Sequence, residues 1–208
     1  LCEPKPTKAE RLALEWLRAA ESGDSDKEAE LQALIDEIDN RPPRLREAAL
    51  TYASWGWPVF PLKPHTKVPA TRNGFKDATT DTGRIQTWWD AHPDANIGIP
   101  TGVAFDVIDI DVPDGPASLT KLLGLEDPRT GLGPLPEAHG IVATASGGTH
   151  YYIAPQGGAN KARIMPGIDT RGAGGYVVAP PSTLGTSGRS WSWAVAPSPA
   201  IKNMGAVA

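Results

Sequence analysis

One cysteine, Cys2, in 208 residues excludes an intramolecular disulfide and any cysteine-rich zinc module, and points to an intracellular, cytoplasmic setting. Long apolar runs are missing too. No stretch approaches the roughly 18 residues of a membrane span, and the first apolar segment, 12–20, is broken by Glu15 and Arg18, which leaves no secretory core. Membrane partners are not expected. The four histidines, His65, His92, His139 and His150, are dispersed, so the paired-histidine metal motif of a rolling-circle relaxase is absent. Positive charge is in deficit, with 20 Lys and Arg against 24 Asp and Glu, a net −4 that does not suit a general nucleic-acid binder. That deficit is local. Residues 1–50 carry 12 acidic and 8 basic side chains, whereas residues 51–208 carry 12 of each. A metal that neutralised three carboxylates would leave the main body 12 basic against 9 acidic, compatible with modest contacts to a nucleic-acid backbone.

Hydrophobic residues make up 40 % of the chain, enough for one substantial globular core. Residues 1–6 hold two prolines and no periodicity, which predicts a frayed start. From Thr7 the pattern is helical, with Leu12, Trp16 and Ala19 at helical spacing and Gly23-Asp24 as a stop. A second amphipathic run, 26–39, sets Leu31, Leu34, Ile35 and Ile38 on one stripe opposite acids. Together they predict an N-terminal helical hairpin over 1–40. Arg41-Pro42-Pro43 marks the boundary to a body over 41–197, and 198–208 reads as a linker-like tail.

Within the body, 44–54 reads as a helix with Leu45, Ala49 and Tyr52 on one face, ending at Gly56. Strand and loop chemistry follows in WGWPVFPL. Asp81 or Thr82 caps a helix through Ala91 that points Ile85, Trp88 and Trp89 inward, where core packing is the expected role of the tryptophans. Between Asp114 and His139 lies a Gly/Pro-rich excursion too irregular to assign, with one short helical candidate at 117–123. GIVATASGGTHYYIAP reads as strand, Gly-Gly turn, strand; GIDTRGAGGYVVAPPS repeats that grammar, and SWSWAV is a last strand. Strands with few helices predict an α+β body rather than a doubly wound one.

The chemistry centres on VAFDVIDIDV, 103–112. Residues two apart in a strand share a face, so Asp109 and Asp111 lie opposite Ile108, Ile110 and Val112, and Asp106 falls on the apolar side away from any ligand set. Two carboxylates about 7 Å apart on one face lose hydration and repel each other, which makes sense beside a divalent cation; the alternative is a strand end with a solvated turn at Pro113-Asp114-Gly115. Ser146-Gly147-Gly148-Thr149-His150 is a turn able to offer backbone N–H groups, a hydroxyl and an imidazole to an anion; the plainer reading is a hairpin with a surface histidine. Asp169 and Arg171 share a face if extended, so Asp169 can complete a carboxylate triad while Arg171 holds phosphate; a salt-bridged turn is the alternative. Lys67, and Asn96 with Thr101-Gly102, are candidates to line the same cleft, or ordinary loop residues.

Taken in order, WGWPVFPL with a following K-x-P, DATTD before the Trp pair, NIGIPTG, VIDID, SGGTHYYI and GIDTRGAGGYVVAPPS resemble the bifunctional primase-polymerase domain of plasmid and phage replication proteins, within the archaeo-eukaryotic primase superfamily. The resemblance runs from about residue 44 to 195. It implies a primase-like body with mixed or antiparallel sheets and an RRM-like half, acting in a bacterial host cell. It also implies a nucleotidyl transferase that copies single-stranded DNA and can begin chains unprimed, using dNTP or NTP. On that resemblance Asp109, Asp111 and Asp169 bind two Mg²⁺ or Mn²⁺ ions, and His150, flanked by Ser146 and Gly148, contacts the triphosphate with Arg171. Some relatives carry a Cys/His zinc stem between the first and second motifs. Residues 112–149 hold His139 and no cysteine, so no structural zinc is expected. Such domains often precede a helicase; a C-terminal helicase partner is expected, and with no Walker motif here the chain reads as an excised domain. The residues alone leave two other classes open: another metal-dependent phosphoryl-transfer enzyme such as a nuclease, and a non-catalytic DNA- or nucleotide-binding module.

Overall fold

The computed structural model describes residues 8–39, 45–124, 135–186 and 188–197. The expected frayed start, the Arg41-Pro42-Pro43 boundary and the tail lie outside them, as do the side chains of Ile35 and Ile38. The chain divides into two compact units, Leu1–Pro42 and Pro43–Ala208.

The first unit is the helical pair α1 (Lys8–Ser22) and α2 (Ser25–Asp39). Gly23 joins them at φ +72°, a left-handed turn that suits glycine, and the Asp24 carboxylate accepts the Lys27 N–H at the start of α2. Ala19 and Leu31 are buried, whereas Leu14, Leu17 and Leu34 are exposed. Leu34 thus departs from the expected apolar stripe.

The second unit opens with α3 (Leu45–Ser54), β1 (Phe60–Leu62), a short 3-10 helix (Gly74–Asp77) and α4 (Thr82–Ala91). Next come β2 (Asn96–Pro100), β3 (Asp106–Ile110), α5 (Gly115–Leu122), β4 (Gly140–Ala143) and β5 (Thr149–Ile153). Then follow β6 (Lys161–Met165), β7 (Ile168–Arg171), β8 (Tyr176–Ala179), β9 (Thr183–Leu184), β10 (Arg189–Ser190) and β11 (Ser192–Val195). Asp81 caps α4 by accepting the Arg84 N–H at 2.6 Å. A three-stranded sheet runs β1-β2-β8, a six-stranded sheet β11-β4-β5-β3-β7-β6, and β10 pairs β9. Every pairing between these named strands is antiparallel.

Trp57 sits at the centre of the larger core. Its indole stacks on Tyr52 at 5.7 Å and on Tyr152 at 6.2 Å, with Phe105 edge-on at 4.7 Å. Ile85 and Trp89 bring α4 onto the same cluster. Trp88 packs against the same cluster while half-buried, with the Arg84 guanidinium over its ring at 4.7 Å. A second cluster lies on the other face of β3, where Ile108 and Ile110 meet Ile153, Ile168 and, from α5, Leu119 and Leu122. Both faces of β3 are therefore buried, and its polar face also holds Val107 in the main core.

The structure corrects three further expectations. β3 ends at Ile110, so Val112 is exposed rather than packed. GIDTRGAGGYVVAPPS is not a hairpin, because β7 pairs with β3 and β6 whereas β8 pairs with β2 in the other sheet. β6 was not foreseen. It forms the hairpin with β7 across Pro166-Gly167, with Met165 opposite Ile168 and Gly167 at φ +70°, the turn chemistry a Pro-Gly pair supplies.

Candidate active site

The central strand of the larger sheet sets the site. β3 is hydrogen-bonded on both sides, and its register places Asp109 opposite His150 on β5 and opposite Asp169 on β7. Residues directly opposite in a ladder share a face, so an imidazole and two carboxylates line up across three strands. Two residues along β7, Arg171 falls on that face as well. Its Nη2 donates to Asp109 Oδ2 at 2.9 Å and to Asp169 Oδ2 at 2.8 Å, and its Nε donates to Asp109 Oδ2 at 3.2 Å. Arg171 therefore bridges both carboxylates, the salt-bridged arrangement of the two readings.

Asp111 lies just past the strand. Its main chain is clasped from both sides: its N–H donates to Gly167 O at 2.8 Å, and its C=O accepts the Gly115 N–H at 2.8 Å. A Cβ on Gly167 would lie 2.4 Å from Gly115 N and 2.8 Å from Asp111 O, so these backbones meet only because side chains are absent. Partial burial and the neighbouring Asp109 charge raise the Asp111 pKa above the ordinary carboxylate value, against the pull of Lys67 and Arg171. Asp106 lies on the opposite face and accepts the Gln156 N–H at 2.8 Å.

His150 is buried, and desolvation, helped by Lys67 and Arg171, lowers its pKa to about 4. It is neutral at pH 7. Its 3.4 Å approach to Asp109 Oδ1 is thus a polar contact and not an ion pair. A histidine whose pKa falls on folding stabilises the fold fully above its unfolded value of 6.5, and that stability is lost as pH falls toward 4. The predicted loss is on the order of 3 kcal/mol. Chemical denaturation at pH 7 and pH 4.5 checks it: the wild type loses more stability between the two than His150→Gln does.

A cleft of about 290 Å³ is lined by Lys67, Asp109, His150 and Arg171 together with Phe75, Tyr176, Trp191 and Asn160, whereas Asp111 and Asp169 are not among its lining residues. Lys67 Nζ lies 3.4 Å from Ser146 Oγ and 5.7 Å from the Trp191 ring centroid, which joins the Ser146 turn to the cleft.

Other candidates support the cleft rather than face it. Asn96 is fully buried, with Nδ2 donating to Thr66 O and Thr183 O and Oδ1 accepting Thr183 N–H. Thr101 donates its hydroxyl to Gly172 O, and Gly102, at φ +82°, abuts the Ala173 backbone. Both hold the loop between β7 and β8. In the Ser146 turn, the N–H groups of Gly147 and Gly148 donate to Thr144 O and Thr144 Oγ1. Those two amides are engaged in the turn rather than open to an anion. Gly148 is a packing glycine, since a Cβ there would lie 2.5 Å from Ile110 O.

Sequence reading missed Gly115 and Gly167, although a glycine after Asp114 and one after Pro166 are visible turn signals. Asn160, Phe75 and Tyr176 gave no local signal, because only the tertiary arrangement of a loop, the 3-10 helix and β8 brings them to the cleft.

The donor set suits a cation in one respect: Asp109 Oδ1 is buried without a hydrogen-bond partner. Among the described residues no group of three His, Cys, Asp or Glu side chains is already gathered as a metal cage. Among them too, no helix is long and apolar enough to cross a membrane. No curated protein matches the chain. A family model does: the one described as bifunctional DNA primase/polymerase, N-terminal, matches residues 49–204, nearly all of the second unit, and the chain belongs to that family.

Proposed function

We propose that this chain is a template-directed nucleotidyl transferase, a DNA primase and polymerase acting in plasmid or phage DNA replication on single-stranded DNA with dNTP or NTP. The observation that carries the reading is the row His150, Asp109, Asp169 across three strands, with Arg171 bridging the acids and lining the cleft beside Asp109 and His150. Membership of the primase/polymerase family supports it from a separate direction. The primase-like body with an RRM-like half belongs to the same proposal, as does a helicase in the full-length protein.

Asp109, Asp111 and Asp169 would hold Mg²⁺ or Mn²⁺. Such ions, when bound, activate an attacking hydroxyl and stabilise departing pyrophosphate. The chain's own groups do the rest. The Arg171 guanidinium carries donors that match phosphate oxygens. Neutral His150 can donate a hydrogen bond to a phosphate oxygen without repelling Arg171 or Lys67. Lys67 brings a second cation to the lining of the cleft. Concentrated in a partly desolvated cleft, these donors offset charge that grows on the phosphates during transfer.

The test is incorporation of labelled dNTP and NTP on primed and unprimed single-stranded DNA with Mg²⁺ or Mn²⁺. Products of template-encoded length and sequence are expected. Template-independent addition or pure degradation would overturn the reading, degradation favouring a nuclease.

A further inference from the structure

The loop that presents Lys67 is fastened at three successive residues. Gly185 N–H donates to His65 O at 2.9 Å, and the His65 ring Nδ1 lies 2.8 Å from Thr183 Oγ1. Asn96 Nδ2 donates to Thr66 O at 2.9 Å. The Tyr176 hydroxyl donates to Lys67 O at 2.9 Å. His65 itself stands at φ +58°, a left-handed conformation that a non-glycine residue keeps only where its surroundings impose it.

The ammonium at the end of this loop is held loosely by comparison. It has the long 3.4 Å contact to Ser146 Oγ and the distant Trp191 ring. A rigid root with a loosely held head suits a cation that reads a ligand, because the entropy of ordering the loop is lost before binding rather than during it. Of the fastening groups, Tyr176 alone bonds the main chain of Lys67 itself, and its ring, edge-on to Phe60 and stacked with Phe75, lines the same cleft.

We propose that Tyr176 is a positioning residue for nucleotide binding, its hydroxyl fixing the Lys67 backbone so that the ammonium meets the phosphates of the incoming nucleotide. The inference rests on the nucleotidyl-transferase reading of the cleft. It concerns the hydroxyl, not the ring, so Tyr176→Phe isolates it with packing retained.

Equilibrium binding of labelled dATP to the full chain reads the effect without turnover. Tyr176→Phe is expected to weaken binding about 2- to 10-fold, and Lys67→Ala about 10- to 100-fold. The double variant should bind no more weakly than Lys67→Ala, since with the ammonium gone its placement no longer matters. A purely structural hydroxyl would weaken both backgrounds alike, and that additive result overturns the proposal, as does unchanged binding by Tyr176→Phe. Coupled binding with no incorporation on any template would remove the polymerase reading and leave Tyr176 in its role. A wild type that binds no dATP overturns both.

Discussion

Asp111→Asn is expected to lower nucleotide incorporation about 1000-fold or more, equivalent to ~4 kcal/mol of transition-state stabilisation, with the fold intact. Asp111 is the informative acid because its largely exposed, only partly desolvated side chain makes no hydrogen bond among the described residues, whereas Asp109 anchors Arg171 and faces His150. The structure adds a second, opposite expectation. Burial and Asp109 make the Asp111 charge unfavourable in the folded, metal-free protein, so an uncharged amide there should leave the melting temperature at or above the wild type's. The sign follows from linkage: with its folded pKa raised, Asp111 favours folding below its unfolded pKa, and that contribution is lost as pH rises through the folded value. Asp111→Asn should remove this part of the pH dependence. Activity retained by the variant would sink the metal assignment; a large drop in melting temperature would sink the account of Asp111 as an electrostatic liability.

The second large effect is expected at a residue with no chemistry of its own. Gly167→Ala forces a left-handed φ of +70° on an L-residue and sets its Cβ against the Gly115 and Asp111 backbones. Strain of about 1–2 kcal/mol and overpacking of about 1–3 kcal/mol together predict a loss of roughly 2–5 kcal/mol. Because Gly167 O and Gly115 N are the groups that clasp Asp111, incorporation should fall more steeply than stability accounts for. Thermal denaturation and incorporation below the melting transition, measured on one preparation, separate the two. Gly185→Ala is the control, since Gly185 shares a left-handed φ of +59° but has open space around its Cβ position.

What was legible in the sequence followed from local rules. Strand parity put Asp109 and Asp106 on opposite faces, and the Gly-Gly turn marked the β4–β5 hairpin. The Asp81 cap was visible in the same way, because one side chain and one amide three residues on decide it. Non-local pairing was not legible. Nothing in GIDTRGAGG says that the next strand joins the other sheet, nor that the exposed run Lys161–Met165 is an edge strand, since pattern reports burial and this strand has little. Asn96 illustrates the same limit. Its residue type allowed a ligand contact, and only its three-dimensional neighbours show the amide engaged with Thr66 and Thr183.

The position of β3 between β5 and β7 has a consequence for synthesis on the ribosome. Asp109 leaves the ribosome long before Arg171, 62 residues further on, so every shorter nascent chain carries its buried-to-be carboxylate without its guanidinium. Pairing over so long a separation adds loop-closure entropy before it returns contacts, which makes this sheet a late event in folding. The row of Asp109, Asp169 and Arg171 is therefore complete only once β7 has been made. A chain halted before β7 would leave Asp109 on an unpaired strand edge, open to the aggregation that a completed sheet prevents.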